Sequence, residues 1–352
     1  MEFGMQFFPC VEPEEKPGAQ YFAECLELTD LADVYGYTHI RTVEHYFHPY
    51  GGYSPNPIVF LTAASQRTRK ARLITGAVLP IFNHPLKIAG EIGMLDAVSG
   101  GRLEGGMARA FLPHEFRRFG ISLDQSVARF DEGYEQLKRL LEEEDVTSEG
   151  QFHSFRNVTS LPRPTQKPRP PFWTAALNNT DSFEKAGRVG NWIMGIPIAG
   201  GRMRELLGIY REAWQSAGHK GKPRVMLAFH LLCHEDREEA IRIARAPVKR
   251  YFDMLVDAAS DWGSGSSSDD YKGYDKIVEQ LSKEDLDTQM EKSSAWVGTP
   301  EDIVEIVHEY DRQVGGFDDA SLQVNFTTLP HEAALRSVRL FGERVIPHFA
   351  AQ

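Results

Sequence analysis

Short apolar runs alternate with longer amphipathic stretches along nearly the whole chain. Phe3 to Phe8 is an apolar run of strand length. From Ala19 to Tyr35, the side chains of Tyr21, Phe22, Cys25, Leu28, Leu31, Ala32 and Tyr35 recur at steps of three and four, which predicts a helix stopped by Gly36. The rhythm then repeats. THIRTV, ARLITGAVLP, RLEGGMA, PFWTAAL, NWIMGIP, RVMLAFHLLC and ASLQVNF read as the second to eighth strands. Helical patterns follow: NPIVFLTAASQRT with Pro57 in its first turn, His84 to Val98, Val127 to Glu144, a stretch ending near Val189, Arg202 to Ala217, a bipartite region after the seventh strand, and His331 to about Val345.

Eight strand–helix units predict an α/β fold, a (β/α)8 barrel forming one domain over residues 1–352. An open doubly wound sheet has the same local pattern, and periodicity does not separate the two. The lack of G-x-G-x-x-G after the first strand weakens its dinucleotide-binding version. Two stretches break the rhythm. GQFHSFRNVTSLPRP mixes glycine, spaced aromatics and prolines, and predicts an inserted hairpin at about 148–162. DWGSGSSSDDYKGYD predicts a flexible segment at about 258–275, either a lid over the active face or a plain surface insertion.

Composition narrows the function. Apolar residues at 41% suffice for a large core. A net charge of −11 without clustered Lys and Arg argues against nucleic acid, whose phosphates require such clusters. The proline-rich basic run from Pro162 to Pro171 reads as a solvated connection. The apolar N-terminus has no positive leader region, and no apolar run approaches the roughly 18 residues of a membrane span, so neither a signal peptide nor a membrane partner is expected. Three scattered cysteines are too few for a disulfide framework and point to a reducing, cytoplasmic setting.

In such a barrel, chemistry sits at the C-terminal ends of the strands. That rule selects Phe8, Glu44 and His45, Gly76 and Ala77, Arg109, Asn178 and Asn179, Ile196, His230 and Asn325. The stretch TVEHYFHPYGGYSPNP adds Tyr46, Phe47, Tyr50 and Tyr53, too many rings for a solvated loop; it reads as the wall of a dry pocket. His45 suits proton transfer near neutral pH, beside Glu44, or is a histidine bonded beneath a loop. His45 and His48 form H-x-x-H without a third ligand nearby, so no metal is expected. Arg109 follows a Gly-Gly pair and could fork onto a phosphate, or be a surface arginine. ALNNTDS, with Asn178, Asn179 and Ser182, reads as an uncharged phosphate cradle or an ordinary helix cap. Arginine and cradle together favour a phosphate-bearing cofactor. There is no G-x-S-x-G or P-loop.

EHYF after the second strand, HPLKIAGEIGMLDAVSGGRLEGGMARAF through the next helix and strand, and FRRFG beyond resemble the bacterial luciferase-like flavin monooxygenases. ARAFLPHEF, SLPRPTQKPRPPFW and LQVNF are most similar to the branch associated with polyketide and nonribosomal peptide biosynthesis. The resemblance implies the barrel, FMN reduced by a separate flavin reductase, O2 as co-substrate, and a homodimer. It places an active-site histidine at His45, a phosphate-contacting arginine at Arg109, a phosphate loop at Asn178, Asn179 and Ser182, and a non-proline cis bond near Thr75, Gly76 and Ala77. Phe8, Tyr46, Phe47, Tyr50 and His230 would line the substrate pocket. Tyr46, Ala108 and Asn178 stand where the light-emitting subunit has a second histidine, a reactive cysteine and an acidic residue, which argues against light emission. The activity implied is oxygenation of an organic intermediate, free or tethered to an acyl or peptidyl carrier protein. The alternatives are deazaflavin-dependent hydride transfer and a non-catalytic flavin-binding barrel on the same fold.

Overall fold

The computed structural model describes residues 1–349. Its strands are β1 (Glu2–Phe7), β2 (His39–Thr42), β3 (Arg72–Thr75), β4 (Leu103–Met107), β5 (Val146–Glu149), β6 (Ser154–Val158), β7 (Phe172–Ala175), β8 (Trp192–Gly195), β9 (Val225–Cys233), β10 (Ala295–Gly298) and β11 (Asp319–Gln323). Eight of them pair in the order β1-β2-β3-β4-β7-β8-β9-β11, and β11 returns to β1. Every pairing in this ring is parallel, so the fold is the (β/α)8 barrel and not the open sheet. All eight C-terminal strand ends therefore open on one rim.

Inward-facing side chains fill the cylinder in levels. At the N-terminal end, charges pair with one another. Arg72 donates to Glu104 and Asp319, each at 2.8 Å, and meets Glu2 as well. Arg224 donates to Glu2 at 2.8 Å and to Asp319 at 2.9 Å. Above this plug, Ile74, Trp173, Met194 and Met226 form an apolar level of their own, with the Trp173 indole N–H on Glu104 at 2.8 Å. The opposite wall is polar at its upper level. Arg41 pairs in register with Gln6, Gln6 with Gln323, and Gln323 with His230.

Element boundaries differ from the periodicity in instructive places. The first helix breaks at Leu31 into Gly18–Asp30 and Ala32–Tyr35, and then stops at Gly36 in the left-handed conformation. The third strand ends at Thr75, although its apolar run continues; a cis bond joins Gly76 and Ala77 just beyond it. The insertion is a two-stranded antiparallel hairpin of β5 and β6, which begins before the glycine that flagged it. β10 is an additional strand outside the ring. β9 is nine residues long and pairs with β8 only over Val225 to Leu227, so its last part, His230 to Cys233, extends past β8 and pairs with β10, with His230 also opposite Gln323 of β11. The four residues AWVG of β10 lie within a region patterned mostly as helix and carry too little period to stand out. The Gly/Ser-rich segment is not structureless: it holds the 3-10 turns Ser260–Trp262 and Asp269–Tyr271, with Trp262 and Tyr271 buried. Among the described residues, no helix is long and apolar enough to cross a membrane.

Removing Arg72 would leave the buried carboxylates of Glu104 and Asp319 short of a partner. Arg72→Met should lower unfolding free energy by about 3 kcal/mol or more, read as a shift of the urea midpoint at unchanged slope. A midpoint unmoved from the parent protein's would mean the plug is not holding the N-terminal rim.

Candidate active site

The rings of TVEHYFHPYGGYSPNP divide into two groups. The inner group packs over the mouth of the barrel: Phe8 lies 5.7 Å from His45 and 4.6 Å from Tyr50, and Tyr251 lies 5.6 Å from Phe8. Tyr50 and Tyr251 share a hydroxyl contact at 3.1 Å, and His230 meets the Tyr251 ring at 4.6 Å. The outer group is Tyr46, Phe47, Phe82 and Phe119. Phe47 is 52% exposed and sits under Arg118, so it does not line the inner pocket expected for it; Tyr46 faces the same outer side. Gly51 explains how the loop closes. Its φ is +85°, and a Cβ there would fall 2.6 Å from the His45 ring. Only a bare backbone lets the loop fold back over that histidine.

His45 is oriented by a residue that spacing did not reveal. Its Nδ1 lies 3.1 Å from Glu115 Oε1, which also accepts from the Tyr46 backbone N–H at 2.9 Å. A carboxylate accepts, so the proton sits on Nδ1, and Nε2 is left without a hydrogen bond among the described residues. Glu115 is fully buried in the short helix Pro113–Phe119. Glu44 does not pair with His45. Its carboxyl accepts from the Leu79 N–H at 3.1 Å and the Asn83 amide at 2.7 Å, and meets the Tyr46 hydroxyl at 2.5 Å. Burial pushes Glu44 up to about 8 despite those donors. The Tyr46 hydroxyl is the donor to this carboxyl. His48 turns away to Asp257 at 3.0 Å and to the Tyr50 N–H at 3.1 Å.

Across the rim, Arg109 follows β4 and lies over the Tyr271 ring, with its guanidinium carbon 4.4 Å from the ring centroid. The Tyr271 hydroxyl donates to the carbonyls of Arg109 at 3.0 Å and Ala110 at 2.9 Å, and the Trp262 N–H donates to Phe111 O at 2.9 Å. The Gly/Ser-rich segment is thus fastened to the arginine's loop. Phe111 in turn meets the His45 ring at 6.1 Å, which joins the two sides of the mouth.

Asn179 caps the helix Thr180–Val189 by accepting from the Ser182 N–H at 3.2 Å. Asn178 bonds elsewhere: its side-chain oxygen accepts from Arg202 Nε at 2.9 Å, and Arg202 also reaches Asn178 O and Thr180 Oγ1. The cradle expected to be uncharged therefore includes a guanidinium from the next unit. Its signal was the GGR at the start of the helix Gly200–Ser216, which the cradle's own sequence does not contain. Thr75 Oγ1 and its neighbour Gly106 exchange hydrogen bonds at 2.9 and 2.7 Å, which ties β3 to β4 just below the cis bond. Among the described residues, no three His, Cys, Asp or Glu side chains gather as a metal site.

The chain is similar to known proteins in sequence and fold. A family model described as luciferase-like monooxygenase matches residues 1–316. The crystal structure of the monooxygenase RslO1 from Streptomyces bottropensis superimposes with a TM-score of 0.89 at 42% identity, covering 99% of this chain and all of that one. The oxygenase component of a flavin-dependent trigonelline monooxygenase from Acinetobacter baylyi is 32% identical over 64% of this chain, and the match spans 63% of that relative's length. The 4-hydroxyprotoasukamycin monooxygenase of Streptomyces nodosus subsp. asukaensis is 25% identical over 99% of this chain and 92% of its own.

The raised Glu44 has a sign that can be checked. The folded state binds its proton more tightly than the unfolded state, whose carboxyl titrates near the ordinary glutamate value of 4.5. Stability should be fullest below that value and fall by up to about 1.4 kcal/mol per pH unit until about pH 8, then level off. Glu44→Gln should flatten this component in urea melts between pH 5 and 8. An identical pH slope in both proteins would show that Glu44 stays ionised.

Proposed function

Because the chain belongs to the luciferase-like monooxygenase family, we propose that it is an FMN-dependent monooxygenase that takes reduced flavin from a separate reductase and uses O2 to oxygenate an organic substrate. The observation that carries this reading is the Glu115–His45 pair at 3.1 Å, aimed into a ring-lined mouth whose other side holds an arginine without a carboxylate partner among the described residues.

The residues fit FMN. Arg109 and the N–H groups at the start of the helix Thr180–Val189 suit its phosphate, with Asn178, Asn179, Ser182 and Arg202 shaping that end. Thr75, Gly76 and Ala77 offer a stretch of wall with little side chain for a flat ring. When bound, reduced FMN would supply the electrons that activate oxygen. The chain's own contribution is then positional. Glu115 fixes the His45 tautomer, so that Nε2 can give or take a proton at the reacting oxygen. Phe8, Tyr50 and Tyr251 keep water out, and the Trp262–Tyr271 segment covers the arginine's side. Glu44, held by Tyr46, Asn83 and Leu79, shapes the loop that carries His45 and is a positioning residue.

The substrate belongs to the partly apolar, oxygen-bearing intermediates of secondary metabolism, free or carrier-bound. The name of the 4-hydroxyprotoasukamycin monooxygenase supports a biosynthetic role, and that of the A. baylyi oxygenase component a separate reductase. A homodimer would cover Val59, Met94 and Val98, exposed apolar residues on the adjacent helices Pro57–Arg67 and Pro85–Val98.

His45→Ala should bind FMN within about twofold of the parent while product formation falls by about 100-fold or more, measured with chemically reduced FMN and labelled O2. Unchanged turnover would remove His45 from the chemistry, and absence of oxygen uptake in the parent would favour hydride transfer. Arg109→Ala should instead weaken FMN binding by about tenfold or more, read by fluorescence titration.

A further inference from the structure

The two ends of the barrel treat charge differently. At the N-terminal level, both arginines meet carboxylates. At the level just below the mouth, Arg41 meets none among the described residues, although it is only 6% exposed. Its Nη1 donates to Gln6 Oε1 at 2.7 Å and its Nη2 to the Gly76 carbonyl at 3.1 Å, while Nε has no partner. A Cβ at Gly76 would fall 2.1 Å from that Nε, so the glycine is what leaves room for the guanidinium. Around the same level, Gln323 Oε1 and His230 Nε2 are also buried without partners. Burial holds His230 neutral, down to about 3, and lowers Arg41 to about 10, so that Arg41 is still a cation at neutral pH.

A buried cation without a counter-charge costs several kcal/mol, and each unpaired buried polar atom about 1–3 kcal/mol more. Three such residues, Arg41 on β2, Gln323 on β11 and His230 on β9, with the hydrogen-bonded Gln6 of β1 between the first two, are not a packing accident of one position. Their register makes a continuous arc of about 14 Å at the usual strand spacing, the width of a fused-ring ligand edge. The arc begins at the carbonyl of the cis-bonded Gly76 and ends at His230, against Tyr251.

We propose that Arg41, with Gln6, Gln323 and His230, forms an oxyanion-binding floor beneath the mouth, which takes the delocalised anionic edge of a planar ring ligand. Arg41 supplies the charge, and Gln323 and His230 supply an acceptor and a second polar contact for an adjacent N–H or O–H. Two sources share this chemistry: the anionic edge of reduced flavin, and a phenolate or enolate oxygen of the substrate. The proposal gives the pocket position of His230 a ligand class. It stands apart from the identity of the cofactor, because its first probe contains no flavin.

The test uses the full-length protein, with Arg41→Met and Arg41→Lys checked for fold by circular dichroism. In one arm, 4-nitrophenol and neutral nitrobenzene are titrated by absorbance across pH. In the other, reduced and oxidised FMN are titrated anaerobically. The parent should favour 4-nitrophenolate over nitrobenzene by about tenfold or more and ionise the bound phenol about 1–3 pH units below its free value, or favour reduced over oxidised FMN by a similar factor. Arg41→Met should erase that preference and Arg41→Lys should keep part of it. Loss in the phenol arm assigns the floor to substrate, and loss in the FMN arm assigns it to flavin. No preference in the parent, or a preference that survives Arg41→Met, overturns the proposal.

Discussion

Closure of the ring is the constraint on which everything else rests. β11 pairs with β1 over five residues, from Glu2 with Asp319 to Gln6 with Gln323, and this seam joins the two ends of the chain's strand order. Without it, Phe8, His45, Arg109 and His230 would lie along an edge; with it, they face one another. The seam is held at its lower end by Asp319 and Glu2, which share Arg72 and Arg224. The ion network thus has a geometric role: it fixes the strand register from which every inward-facing side chain takes its level.

From that register comes an asymmetry along the barrel axis. Paired charges close the bottom, four large apolar side chains fill the middle, and, besides His39 Nε2 and Ser321 Oγ lower down, unpartnered atoms of Arg41, Gln323 and His230 lie at the top. Folding alone has no use for the last of these, since an apolar level would be cheaper. Sites that bind and react are where such costs are tolerated. The mouth adds two fixed devices to this floor. One is a histidine whose tautomer is set by a buried carboxylate. The other is an arginine pressed against Tyr271 by a segment that composition alone would have left as loose chain.

The barrel was legible because its signal is repeated: eight apolar runs, each followed by a helical period, leave few folds to choose from. Strand-end placement then selected His45, Arg109 and Asn179 as candidates without any knowledge of contacts. The partners were not legible. Glu115 lies 70 residues from His45, and nothing local distinguishes it from the other acids of an acidic chain. Arg202 reaches Asn178 from 24 residues away, and Tyr271 covers Arg109 from more than 160. Arg41 reads as one polar residue inside THIRTV; its isolation from any carboxylate appears only when the other seven strands are in place. Phe47 misled because ring content marks a pocket wall but not which side of the loop each ring takes. At Phe47 the backbone has φ +62°, and the side chain is exposed.

The most direct measurement is a crystal structure of the protein with FMN bound. The account predicts the phosphate between Arg109 and the start of the helix Thr180–Val189, with the ring system against Gly76 and Ala77 on the same rim as His45. Flavin seated at the N-terminal end of the barrel, or outside the ring of strands, would contradict it.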